Sequence, residues 1–182
     1  MTMGSPGATL PADRPVVSPV SEALASDFRL AMRRLAATVS IIATRENGLP
    51  VGMAATSVSS LSASPPALLF SVAETASLCA PLMRQRRFSV SVLSVSHANL
   101  VGLFSGQIKG PERFAHGDWQ DIGGMPFLAD AQAWMLCRVV DSHIWGSQHI
   151  IIGQIEDIRI EDKINPLIWQ NGAVMRSAPL DA

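Results

Sequence analysis

The chain has 182 residues, of which 48% are hydrophobic and 16% charged, and its net charge is −1. This length fits one domain with a core of its own, and the composition is apolar enough for part of the surface to be covered by another chain. No basic block recommends nucleic acid as a partner, and runs such as "ALLF" and "HIIIG" are far too short to span a bilayer.

Residues 1–22 are rich in Pro, Ala, Ser and Gly and read as a flexible tail before a domain over 23–182. They lack the charged start and continuous apolar segment of a secretory signal. Cys79 and Cys137 form no CxxC, so the expectation is a cytoplasmic protein with reduced thiols. "SDFRLAMRRLA" predicts a helix capped by Ser26 or Asp27, with Phe28, Ala31, Met32 and Leu35 on one face. "TVSIIATRENGLPVGMAATSVSS" predicts strand, turn, strand, with the turn at Glu46-Asn47-Gly48. "ALLFSVA" predicts a third strand, bounded by Pro65-Pro66. Residues 76–86 predict a short helix broken or started near Pro81, which Glu74, Thr75 and Ser77 are placed to cap. "FSVSVLS" alternates as a fourth strand, and "SHANLVGLFSG" reads as a helix ending at Gly106. "QIKGPERFAHGDWQDIGGMPFL" reads as a long polar loop, of the kind that is usually functional. "AQAWMLCRVVDSHIWGSQHIIIGQIEDIRIE" predicts a long hairpin turning near Trp145-Gly146-Ser147, and "INPLIWQNGAVMRSA" a final short strand or turn. Six or seven strands with a few short helices, joined mostly by hairpins, predict a mainly β, antiparallel barrel with peripheral helices.

Several chemistries have no signature here. No GxGxxG follows a strand and no GxxxxGK[ST] is present. "GLFSG" is not the GxSxG of a nucleophile elbow. His97, His116, His143 and His149 form neither HExxH nor a Cys/His cluster, so no metal site is expected. Without a carboxylate pair either, any enzyme chemistry is expected from a bound cofactor.

One stretch stands apart. "GMAATSVSSLSASPP", residues 52–66, has no charge and no aromatic and is dominated by Ala, Ser and Thr. Taken alone, it is best explained by tight packing. Taken in order with "FRLAMRRLAATVSIIAT", "FSVSVL", "LFSG...K...RF", "GMPFL", "GSQHIIIGQI" and "PLIW..G", it resembles the short-chain flavin reductases, which supply reduced flavin to two-component monooxygenases. The resemblance runs from about Phe28 to Gly172.

That resemblance implies an FMN-binding split β-barrel, antiparallel and Greek-key-like, working as a homodimer. It implies FMN or FAD and NADH or NADPH as cofactors, and a flavin-dependent oxygenase as partner. Hydride would pass directly between the cofactors, with no catalytic residue. On the flavin, the resemblance places Ala55, Thr56, Ser57, Ser59 and Ser60, whose small bulk leaves backbone N–H groups open to a ring and whose hydroxyls suit ribityl or phosphate. Alternation along a strand would put Ser57 and Ser59 on one face. It adds Ser91, Phe104, Ser105 and Gly106, with Lys109 and Arg113 toward phosphate and Trp169 stacking on the ring. On the nicotinamide it places His149, with Gly146 and Ser147 of the turn; His149 would hold the ring in position for transfer.

Two departures stand out. The family's Gly-Asp-His reads Gly146-Ser147-Gln148-His149 here, and its Asn-Val-Leu reads Ser91-Val92-Leu93. The missing Asp favours an alternative, a barrel with tightly held flavin that does not reduce free flavin. A non-enzymatic dimeric barrel is a further alternative. The remaining candidates carry structural expectations. His97 and His116 are read as structural, and His143 as facing the other strand or solvent. Trp119, Trp134 and Trp145 are read as core or interface, and Cys137 as an inert core thiol.

Overall fold

The computed structural model describes residues 19–180. The expected tail lies outside these residues up to position 18. The chain forms α1 (Glu22–Met32), β1 (Ala37–Thr38), β2 (Ser40–Glu46), β3 (Leu49–Ala55), β4 (Ser59–Ala63), β5 (Pro66–Ala73), α2 (Cys79–Gln85) and β6 (Arg87–Val92). It continues through α3 (Ala98–Gly102), β7 (Trp119–Ile122), β8 (Met125–Leu128), β9 (Ala133–Trp145), β10 (Gln148–Ile160), β11 (Leu167–Gln170) and β12 (Ala173–Arg176).

Seven strands make the main antiparallel sheet, in the order β3-β2-β6-β9-β10-β5-β4. β1, β11 and β12 form a second small sheet, and β7 and β8 a hairpin. The edge strands β3 and β4 follow each other in the chain but lie at opposite ends of the sheet. Flat, seven strands would put those edges roughly 29 Å apart. The four residue steps from Ala55 to Ser59 span at most about 14 Å, so the sheet must roll until its edges nearly meet. The edges do not pair, which leaves an open seam and a split-barrel-like core. Ser57, in the segment that crosses this seam, is anchored to β5: its Oγ accepts from Ser71 N at 3.2 Å and donates to Ser71 O at 3.3 Å.

The turns follow their residues. Asn47 and Gly48 both take positive φ, 51° and 80°, as a two-residue hairpin connection requires. The same dipeptide, Asn171-Gly172, turns β11 into β12. Pro81 lies in the first turn of α2, where no helical N–H is needed from it.

Four expectations need correction. Helix α1 starts one turn early, because Ser21 is extended and its hydroxyl accepts from Leu24 N at 3.2 Å; Ser26 and Asp27 lie inside the helix. It also ends at Met32, so Leu35 lies beyond the helix whose apolar face it was expected to share; Phe28 on that face is 60% exposed in this chain. The supposed loop over 107–128 contains a 3₁₀ turn (Pro111–Ala115) and the β7–β8 hairpin, whose Gly123-Gly124 turn was read as loop composition. The N-cap position of helix α2 is Leu78, which makes no side-chain cap bond, and not one of the expected Glu74, Thr75 and Ser77.

The core has two parts. Inside the rolled sheet, Phe70 and Phe88 meet edge to face at 5.3 Å, among Ile42, Leu68, Val90, Cys137 and Ile151. Between the sheet and α3, Val39, Ile41, Leu93, Leu100, Phe104, Leu128 and Leu167 pack together. Burial pushes the Cys137 thiol up to about 12, with Glu156 adding to the effect, so the residue is the inert core thiol expected. The linkage has a clear sign. A thiol neutral in the fold but titrating near ~8.5 when unfolded keeps full stability below that pH. The stability is lost as pH rises toward about 12, because the unfolded state then binds fewer protons. Denaturant midpoints should therefore fall above pH 9, and fall less in Cys137→Ala.

Candidate functional site

A shallow cleft of about 190 Å³ opens beside the seam. Ala54, Ala55 and Thr56 form one wall, Val101 and Ser105 a second, and Val39 and Trp169 close it. Each wall is set by local structure. β3 has a neighbour on one side only, so its other edge offers backbone groups outside the ladder. Small side chains at Ala54 and Ala55 leave that edge approachable. Val101 is held by α3, and Ser105 by the irregular turn after it, which ends where Gly106 reaches φ 111°. Trp169 pairs with Ala37 across β1–β11 and remains 36% exposed. The result is a low-bulk slot in which polar and apolar groups share the lining about equally, a fit for a flat ring with one polar edge.

Four of the expected flavin residues meet in this cleft: Ala55, Thr56, Ser105 and Trp169. Gly106 is exposed next to Ser105. The others are placed differently. Ser57 has its hydroxyl engaged at the seam. Ser59 and Ser60 lie on the exposed edge strand β4 and do not line the cleft. Ser91 is fully buried, its Oγ accepting from Leu128 N at 3.1 Å, so it offers nothing to a ligand. Phe104 is 2% exposed and packs against Phe114 and Trp119 as core. Lys109 is exposed and outside the cleft lining. Arg113 is 6% exposed, donating from Nη1 to Gly52 O at 2.8 Å and from Nε to Gly110 O at 3.1 Å; it lines a second cavity, not this one. The alternating Ser pattern hid these differences, because the chain crosses between sheet edges at 56–58 and the strand periodicity does not carry through.

His149 is half-buried at the start of β10, opposite Val72. Its Nδ1 is buried with no hydrogen-bond partner among the described residues. It lies next to Ile150, which pairs with Ser71, the residue that Ser57 holds. Gly146 and Ser147 form the exposed turn just before it, and Ser147 O accepts from Glu74 N at 2.9 Å. The other histidines are structural or solvated. His97 Nδ1 lies 2.9 Å from Ser94 Oγ and its Nε2 3.0 Å from Asp130, while His143 is exposed beside Asp141. Trp119 and Trp134 pack in ring clusters, whereas Trp145 is 59% exposed at the hairpin tip. Val39, Ala54 and Val101 complete the cleft. Ala54 belonged to the small-residue run, but nothing local marked the two valines. Among the described residues, no group of three His, Cys, Asp or Glu is placed to hold a metal ion, and no helix is long and apolar enough to cross a membrane.

A rolled, split antiparallel sheet with a low-bulk cleft at its seam defines the class of split-barrel proteins. A flavin reductase domain protein from Arthrobacter sp. FB24 superposes with a TM-score of 0.80 at 28% identity, covering 87% of this chain and 98% of that one. The model of the flavin reductase like domain matches residues 32–178, and the chain belongs to that family. It is 36% identical over 146 residues to the FMN reductase (NADH) RutF of Methylorubrum populi, covering 80% of this chain and 72% of the relative. It is 32% identical over 161 residues to the reductase component of the FADH(2)-dependent resorcinol hydroxylase of Rhizobium sp., covering 87% and 90%.

Proposed function

We propose that this chain is an NAD(P)H-dependent flavin reductase that delivers reduced FMN or FAD to a partner flavin-dependent oxygenase. The observation that carries the reading is the cleft uniting the β3 edge at Ala54–Thr56 with Ser105 and Trp169, in a chain of this family. The nicotinamide nucleotide supplies a hydride that the flavin ring accepts, so the protein need provide neither acid nor base. The free edge of β3 gives backbone partners to the ring's polar margin, Trp169 covers a face, and Thr56 and Ser105 present hydroxyls at the mouth. His149 would orient the second nucleotide, and its partnerless Nδ1 supplies a polar atom whose burial calls for a bond. His149→Ala should raise the KM for NADH about tenfold, a loss of ~1.4 kcal/mol in binding, with a much smaller change in the KM for flavin. Steady-state kinetics with each substrate varied in turn would read both.

At about 190 Å³, the cleft falls below the ~300–1,000 Å³ of most ligand pockets. Two consequences follow. A flavin so loosely enclosed is a substrate that leaves, against the alternative of a permanently held group. Protein passed through a desalting column should emerge colourless and need added flavin for turnover; flavin retained through the column and through turnover would favour the alternative. The second consequence is that another copy would complete the site, as a homodimer. Support comes from the exposed Leu24, Phe28 and Met32 of α1 and Val174 and Met175 of β12. These faces are tied together, since Arg33 donates to Asn171 Oδ1 and O at 3.1 Å each. Buried, reduced cysteines and a nicotinamide substrate support a cytoplasmic setting.

A further inference from the structure

A second cavity, of about 290 Å³, lies between the β2–β3 hairpin and the turn at Gly110–Pro111, with Ser77 and Arg113 in its wall. We infer that it takes the adenosine-phosphate half of a dinucleotide, with Arg113 paired to the phosphoryl group. This rests on the reading that the chain works on a flavin and a nicotinamide nucleotide.

Arg113 carries the inference. Its side chain is nearly enclosed, at 6% exposure. No carboxylate of the described residues forms an ion pair with it. Its guanidinium uses Nε and Nη1 on two carbonyls and stands 5.7 Å from the Phe104 ring centroid. Among the described residues, no acceptor takes a bond from Nη2. Burial pulls the group's pKa down, with Glu112 opposing, yet an arginine stays charged. Glu112 is close enough to act on this charge but forms no ion pair with it, so a largely enclosed cation is left that an anion in the cavity would stabilise. Its planar fork matches phosphate oxygens, and it borders a cavity able to admit them.

The rest of the wall suits a nucleoside. Leu49, Pro50, Val51 and Pro111 make apolar sides for a base. Ser77 also lines the cavity, and its hydroxyl suits a ribose. Glu46 at the rim is held by Arg84, so its charge is balanced. Val51 in this cavity and Ala54 in the cleft lie three residues apart on β3, roughly 10 Å along the strand. A ligand lying on the free edge of β3 would reach from one to the other.

The adenylate could belong to FAD or to NAD(P)H, and the test separates them. The probe is 5′-AMP, titrated by calorimetry into the full chain, with adenosine as control. AMP should bind at least tenfold more tightly than adenosine. Arg113→Gln should weaken AMP at least tenfold. Because Arg113 also ties Gly52 and Gly110, Ser77→Leu provides a second variant, filling the cavity and weakening AMP in the same direction. Competition of AMP against FAD but not NADH assigns the site to the flavin, and the converse assigns it to the nicotinamide nucleotide. Equal binding of adenosine and AMP, or no AMP binding, overturns the inference. Calorimetry needs no turnover, so a chain that fails to oxidise NAD(P)H refutes the proposed function and leaves this result standing on its own.

Discussion

Replacing Phe88 with alanine should lower the unfolding free energy by about 3–5 kcal/mol. Phe88 is fully buried on β6, at the middle of the rolled sheet. It stacks edge to face on Phe70 at 5.3 Å. Opposite it, Gly153 leaves room that no other residue would: a Cβ there would lie 2.5 Å from Phe88 Cζ. The ring thus fills a space bounded by backbone, and the surrounding strands cannot collapse inward to replace it. Against a total stability of about 5–15 kcal/mol, the loss is a large fraction. Urea denaturation followed by tryptophan fluorescence would measure it; a loss below ~1 kcal/mol would mean that the sheet does not close around Phe88 as described.

Thr56→Trp should cut kcat/KM for flavin by about tenfold to a hundredfold, ~1.4–2.7 kcal/mol, with little effect on stability. Thr56 is exposed at the mouth of the cleft, where the chain crosses between the two sheet edges. Bulk added there occupies the slot without entering the core, so the folding cost of an exposed substitution applies, typically within ±0.5 kcal/mol. Kinetics with FMN as the varied substrate, paired with a thermal melt, separates the two effects. An unchanged kcat/KM would place the flavin elsewhere.

The hairpins β2–β3 and β9–β10 and the strands β5 and β6 were legible in the sequence, because Asn-Gly and Gly-Ser turns and bounding prolines bracket runs of apolar residues. The roll of the sheet was not legible. It depends on β3 and β4 being chain neighbours at opposite edges, and no local pattern records that. The same gap explains the site. Ala55 and Thr56 were readable from their small size, and Trp169 and Ser105 from the family's motif order. Ser91 and Phe104 belong to the same motifs but turn inward, one bonded to Leu128 N and the other packed on Phe114 and Trp119. Arg113 carried the right charge in the right loop, yet it anchors the Gly52 carbonyl and borders a different cavity. Residue type and order thus located the region, while side-chain direction required the fold.

The chain should oxidise NAD(P)H only in step with a flavin that it takes up and releases. Absorbance of NADH or NADPH at steady state, with purified protein and FMN, FAD or riboflavin added in turn, tests it directly. Negligible oxidation by the desalted protein alone, and saturable oxidation on addition of at least one flavin, are expected. No oxidation of either nucleotide with any of the three flavins would contradict it.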